Sequence, residues 1–221
     1  MAQILGATIG NSRRDWGLAT MSDHATPVEV LVADPPWPFA DALPGKGRGA
    51  VKHYELLSVR DICNFKLPPI ARNALLIMWR VGSMQPSAFD VVNAWGFSVK
   101  SELVWVKTRG DHLDESDPRS NRMGMGHYVR NEHEIALVCT RGSFKVADRG
   151  VRSTFRAPLG EHSEKPQRFF DIVERLAGPK RLAAGACCEL FGRVPRAGWH
   201  VYGNEIVGGY APPYKGDCDG F

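Results

Sequence analysis

Hydrophobic positions along the chain fall into short, nearly uniform runs separated by amphipathic stretches and two long polar segments. VEVLVA (28–33), ALLIMW (74–79), FSVKSELVWVK (97–107), EHEIALVCT (132–140) and CCELFG (187–192) predict strands, and WHVYGNE (199–205) predicts another. QPSAFDVVNAWG (85–96) sets Ala88, Val91, Val92 and Trp95 at helical spacing, with Pro86 near its start and Gly96 as its stop. EKPQRFFDIVERLAG (164–178) turns Phe169, Ile172, Val173 and Leu176 to one face and ends at Gly178. Ser58, with Asp61 three positions on, N-caps a shorter helix. Strands alternating with helices, several strands apolar on both faces, predict an α/β sandwich with a mostly parallel sheet. Residues 1–27 read as an irregular lead-in, 28–207 as the domain and 208–221 as a tail. The loops 41–53 and 108–128 are long enough to be functional or disordered.

Composition changes this picture little. Hydrophobic residues make up 43% and charged residues 24% of the 221, as in ordinary globular domains, and the length suits one domain. The apolar runs fall short of the ~20 residues that cross a membrane. The N-terminus lacks a basic region followed by an apolar one, so a cytoplasmic location is expected, in a bacterial cell or an infected host. A net charge of +4 admits a polyanionic partner without requiring one. The five cysteines are odd in number and not spaced as metal ligands; they read as reduced, and no metal site is implied.

The chemistry concentrates where the first strand stops. VLVADPPW runs from a buried strand into Asp34, then Pro35, Pro36 and Trp37. Prolines cannot donate to a sheet ladder, so the strand must end there. In a parallel sheet, ligands bind beyond such carboxyl ends. The corner offers a carboxylate and the Pro35 carbonyl as adjacent acceptors, with no competing backbone donor. Two acceptors match the two hydrogens of an exocyclic aromatic amine and turn its lone pair outward, toward an electrophile. Trp37 is placed to stack on the base, an interaction worth ~1–3 kcal/mol in nucleic-acid complexes. A rigid turn with a packing Trp, or an acid capping a neighbouring helix, fits the same four residues.

With the rest of the chain, these residues resemble the D-P-P-W adenine N-6 methyltransferases, a family that includes the eukaryotic mRNA adenosine methyltransferase and bacterial and phage relatives. ALLIMWRVGSMQPSAFDVVNAWGFSVKSELVWVKTRG resembles the family's central strand–helix–strand unit. MGMGHYVRNEHEIALVCTRG, HSEKPQRFFDIVERL, ELFGR and GWHVYGNE resemble its later motifs in the same order, so the match covers about Val28 to Ile206. The resemblance implies a permuted, Rossmann-like S-adenosylmethionine-dependent methyltransferase fold, with the catalytic motif before the cofactor strand. No G-x-G-x-x-G follows a strand, in keeping with a cofactor that has no phosphate.

By that resemblance Asp34, Pro35, Pro36 and Trp37 are catalytic. Ala33, Asp34, Lys165, Glu189, Arg193, Asn204 and Glu205 bind S-adenosylmethionine, Lys165 near its carboxylate, Glu189 and Arg193 near its ribose and adenine, and Asn204 and Glu205 at its ribose. Lys46, Arg48, Lys52, His127, Tyr128 and Arg130 are candidate contacts to the nucleic acid. His133 and Glu134 begin a strand and are as easily structural. Each of these has a plainer reading: a solvated lysine, a surface ion pair between Glu189 and Arg193, a turn asparagine. The chain departs from the family at AAGACC (183–188), extra small residues that lengthen a strand, add a loop or alter the cofactor entrance.

The resemblance implies methyl transfer to the 6-amino group of adenine in nucleic acid, with DNA favoured over RNA and a monomer or homodimer as the acting species. A non-catalytic relative, and an enzyme acting on cytosine or a free nucleotide, are the alternatives.

Overall fold

A computed structural model describes residues 26–38, 56–110, 120–124, 128–160, 164–203 and 206–210. Its strands are β1 (Val28–Ala33), β2 (Ile70–Arg80), β3 (Ser98–Thr108), β4 (His133–Arg141), β5 (Thr154–Pro158), β6 (Cys187–Leu190), β7 (Trp199–Gly203) and β8 (Ile206–Tyr210). Its α-helices are α1 (Val59–Cys63), α2 (Gln85–Ala94), α3 (Gln167–Ala177) and α4 (Pro179–Ala183). The strands form one sheet in the order β5-β3-β4-β2-β1-β6-β7-β8. β1 pairs in parallel with β2 and β6, as do β3 with β5 and β6 with β7; only β4 and β8 run against the rest. β4 lies between β2 and β3 and pairs antiparallel with both.

β1 lies inside the sheet and alternates between two cores. Val30 and Val32 join Phe169, Phe170 and Val173 of α3 on one face; Leu31 and Ala33 join Ala88, Val91 and Val92 of α2 on the other. Each valine, leucine and phenylalanine among them contributes about 1.5–3 kcal/mol on burial, which fixes both helix layers against the sheet. α1 begins as its sequence predicts, with the Asp61 N–H donating to Ser58 Oγ over 3.1 Å.

Three elements were not anticipated from the sequence: β5, α4 and β8, each five residues long. β8 continues to Tyr210, past the expected domain end at 207. The AAGACC segment resolves into the end of α4, a turn through Gly185 in the left-handed region (φ 65°), and the start of β6. The Ala186 carbonyl accepts from the Glu29 and Val30 N–H groups at the amino end of β1. The extra residues therefore sit at the edge of the sheet opposite Asp34.

Candidate active site

β1 is laddered on both sides through Ala33, and Pro35 and Pro36 can extend neither ladder. The chain turns at once: the Trp37 N–H donates to the Pro35 carbonyl over 2.8 Å, and the Leu57 N–H to that of Pro36 over 3.0 Å. One lone pair of the Pro35 carbonyl is thus engaged and one remains.

Trp37 differs from its expected role on the base. It is only 3% exposed, packs among the residues of the α2-side core, and donates from Nε1 to the Trp79 carbonyl over 3.0 Å. No ring face is offered to a ligand here. The indole pins the corner to β2.

Four charged side chains from four parts of the chain meet at this edge. Lys165, just before α3, places Nζ 2.8 Å from Asp34 Oδ2 and 3.5 Å from Glu134 Oε2. Lys107 near the end of β3 reaches Glu134 Oε1 at 2.7 Å. The result is an alternating row, Asp34, Lys165, Glu134, Lys107. Lys165 Nζ also lies 5.1 Å from the centre of the Trp79 ring, a cation–π contact that steadies it. Burial alone would depress the Lys165 ammonium, but Asp34 and then Glu134 outweigh it and hold its pKa above the usual lysine range. Burial likewise pushes the Glu134 carboxyl up, and Lys165 and Lys107 more than offset it, leaving its pKa lowered. Both groups are charged at neutral pH. Lys165 has a third N–H with no partner assigned among these contacts.

Glu189 on β6 is in register with Val32 and so lies beside the β1 exit. Among the described residues its Oε2, inaccessible to water, has no hydrogen bond; Arg196 Nε lies 3.9 Å away and likewise has no hydrogen-bond partner among them. Arg196 is held by Gln167 Oε1 (2.7 Å) and by the Phe170 ring, whose centre is 3.3 Å from Cζ. At 3.9 Å without a hydrogen bond the pair does not repay its desolvation. Burial pushes the Glu189 carboxyl up to about 7, opposed by Arg196, reinforced by Asp34 and opposed again by Lys165, while burial lowers the Arg196 pKa. An orphaned acceptor in a site of this kind suits a ligand with hydroxyl or amino donors.

The β6 end is also tightly built. Phe191 occupies the left-handed region (φ 63°), a rare conformation for a residue with a side chain. A Cβ on Gly203 would lie 1.9 Å from the Gly192 carbonyl oxygen, so only glycine permits β7 to pass there.

Of the residues singled out in the sequence, Ala33, Asp34, Pro35, Pro36, Trp37, Lys165 and Glu189 converge, and Arg193 follows in the β6–β7 connection. Tyr128 is not brought to Asp34: it is fully exposed in the β3–β4 connection, with Arg130 exposed beside it. Lys46, Arg48, Lys52, His127, Asn204 and Glu205 lie outside the described residues. Sequence reasoning passed over Lys107 and Arg196 and left Glu134 undecided. A Lys at one strand end and a Glu at the next strand's start gave a weak signal for the first pair; Arg196 gave none.

A mostly parallel sheet with an acid at the carboxyl end of an inner strand, and helices on both faces, is a Rossmann-like architecture of the methyltransferase type. The MT-A70 family model matches residues 28–205, and the chain belongs to that family. It is 27% identical to the N(6)-adenosine-methyltransferase catalytic subunit METTL3 of Homo sapiens, over 81% of this chain and 28% of that one. A putative N(6)-adenosine-methyltransferase MT-A70-like protein of Medicago truncatula is also 27% identical, over 81% of this chain and 26% of its own. The type II methyltransferase M.MunI of a Mycoplasma species is 26% identical over 80% of this chain and 77% of its own. The chain thus spans about a quarter of the eukaryotic relatives it matches.

Proposed function

We propose that this protein transfers a methyl group from S-adenosylmethionine to the 6-amino nitrogen of adenine in a polynucleotide. The observation that carries the reading is Asp34, held on a proline corner and paired at one oxygen by Lys165. S-adenosylmethionine supplies a methyl activated by its sulfonium. The residues present fit it: Glu189 offers a buried, unpaired acceptor for its hydroxyl or amino donors, and Lys165 keeps one N–H for its carboxylate.

Asp34 does the electrostatic part of the chemistry. Positive charge grows on the amine as the new bond forms, and a carboxylate already oriented there stabilises it without reorganising. The Asp34–Lys165 bond holds Oδ2, leaving Oδ1 and the second Pro35 lone pair for the two N–H groups. Asp34 need not be a strong base, because the methylated ammonium is acidic and sheds its proton afterwards. An adenine inside a duplex must be flipped out at a cost of a few kcal/mol, so a single strand is the easier substrate.

We place DNA ahead of RNA. The match to the type II methyltransferase M.MunI runs along most of both chains, whereas the adenosine methyltransferases are matched over about a quarter of theirs. A bacterial or phage setting and a cytoplasmic site of action belong to the same proposal. Offering cofactor with a tritiated methyl to single-stranded DNA, duplex DNA and RNA in parallel, then digesting to nucleosides, tests the whole reading. Label in N6-methyl-deoxyadenosine is the expected result; label in RNA alone overturns the DNA preference, and label in no adenine overturns the activity.

A further inference from the structure

A cleft of about 340 Å³ opens between the end of β5 and the start of α3, within the ~300–1,000 Å³ range of small-ligand sites. Arg156, Glu164, Lys165, Gln167 and Arg168 contribute its polar lining. Three of these are cations and one is an acid. Lys165 already serves Asp34 and Glu134, so the cleft's own positive charge rests on Arg156 and Arg168.

Arg156 is fixed in an unusual way for a partly buried guanidinium. Its Nη2 donates to Ser120 Oγ and Asn121 Oδ1 at 2.6 Å each, and Asn121 in turn donates to Glu132 over 2.9 Å. Its Nε is inaccessible to water and unpartnered, and no carboxylate among the described residues lies within ion-pair distance. Neutral oxygens hold the fork in place without neutralising it. Beside it α3 begins without a side-chain cap and without an acid in its first turn, which leaves first-turn N–H groups and the positive end of the helix facing the same space.

We propose that this cleft seats a backbone phosphate flanking the target nucleotide, held by Arg156 and Arg168. The inference rests on the methyltransferase reading and adds to it the direction of the strand. In the sheet, β6 with Glu189 lies on one side of β1, while β5 with Arg156 lies on the other, four strand spacings or about 19 Å away. Cofactor groups at Glu189 and a phosphate at Arg156 therefore fall on opposite sides of Asp34. With Nη2 of Arg156 engaged and Nε inaccessible, its Nη1 is left to donate to one phosphate oxygen, and the exposed Arg168 to another. The polynucleotide then runs from the Asp34 corner across Lys165 toward the β5 edge.

The test is a salt titration of binding to a fluorescein-labelled single-stranded DNA by wild type, Arg156→Gln and Arg168→Gln, with S-adenosylmethionine affinity measured by calorimetry on each. Arg168 is exposed, so its variant carries the test even if Arg156→Gln loosens the fold. Each variant is expected to reduce the slope of log affinity against log salt by about 0.7, with cofactor affinity unchanged. Wild-type slopes in both variants overturn the inference while leaving the methyltransferase reading intact. Cofactor affinity lost with the slope unchanged assigns the cleft to the cofactor and also overturns it. A wild-type protein that binds no strand overturns both.

Discussion

Lys165 Nζ lies 2.8 Å from Asp34 Oδ2, so the acid on the proline corner is oriented by a lysine from the far end of the sequence. That single contact joins the strand that carries the chemistry to the helix layer that covers it, and it makes the behaviour of each residue depend on the other.

Replacing Asp34 with Ala removes the carboxylate that meets the developing charge in the proposed reaction. Loss of one preorganised partner of this kind costs about 10²–10³-fold in kcat. Methylation by Asp34→Ala is expected to fall at least that far while cofactor binding partly survives in calorimetry; activity within tenfold of wild type contradicts the assignment.

Lys165→Met removes the cation between Asp34 and Glu134 and leaves Glu134 paired with Lys107 alone. In the wild type the Glu134 carboxyl is held low, so its contribution is present above the ordinary glutamate range and lost as pH falls through the lowered value. The Lys165 contribution has the opposite sense, complete below the ordinary lysine range and lost only as pH rises past its raised value. Stability from this row is therefore level through neutral pH. In Lys165→Met only Lys107 still holds the Glu134 carboxyl down, so its pKa rises part of the way back and acid unfolding followed by circular dichroism begins at a higher pH. An acid midpoint identical to wild type rules out the coupling.

Glu189 behaves in reverse. Its folded pKa, about 7, lies above the ordinary 4.5, so its cost to stability accumulates as pH rises from that ordinary value to about 7 and then stays constant. At about 1.4 kcal/mol for each tenfold change in proton affinity, the full cost is roughly 3 kcal/mol. Glu189→Gln is expected to melt higher than wild type at pH 8, to lose the decline between about pH 4.5 and 7, and to bind cofactor more weakly. Equal melting curves at pH 8 would show that burial at Glu189 carries no penalty.

Trp37→Phe separates anchoring from stacking, since phenylalanine keeps a ring but loses the bond to the Trp79 carbonyl. Leaving that buried acceptor unpaired costs about 1–3 kcal/mol. Steady-state kinetics should show kcat falling with the displaced corner and KM for the strand unchanged. A rise in KM with normal stability would instead restore the ring to the base.

Much of the framework is readable from residues alone, because β1, β2, α2 and α3 each carry an apolar run or period that local rules decode. β5 escapes them: TFRAP is five residues long, ends in proline and buries only Phe155 and Ala157. The site divides the same way. Asp34 announces itself through its prolines, but its pairing with Lys165 depends on the topology that brings β1 and the start of α3 to one edge. Trp37 was misjudged for a related reason, since a proline corner says where the chain turns and not which side of the sheet receives the indole.

The position of β1 has a consequence for synthesis on the ribosome. Its two neighbours in the sheet are β2, which emerges soon after it, and β6, which emerges only near the end. The proline elbow is thus translated early and stays one-sided until Cys187–Leu190 and the Lys165 segment have left the exit tunnel. A nascent or prematurely terminated chain carries the acid without its cation or its second flanking strand, and the site is incomplete until the domain is nearly whole.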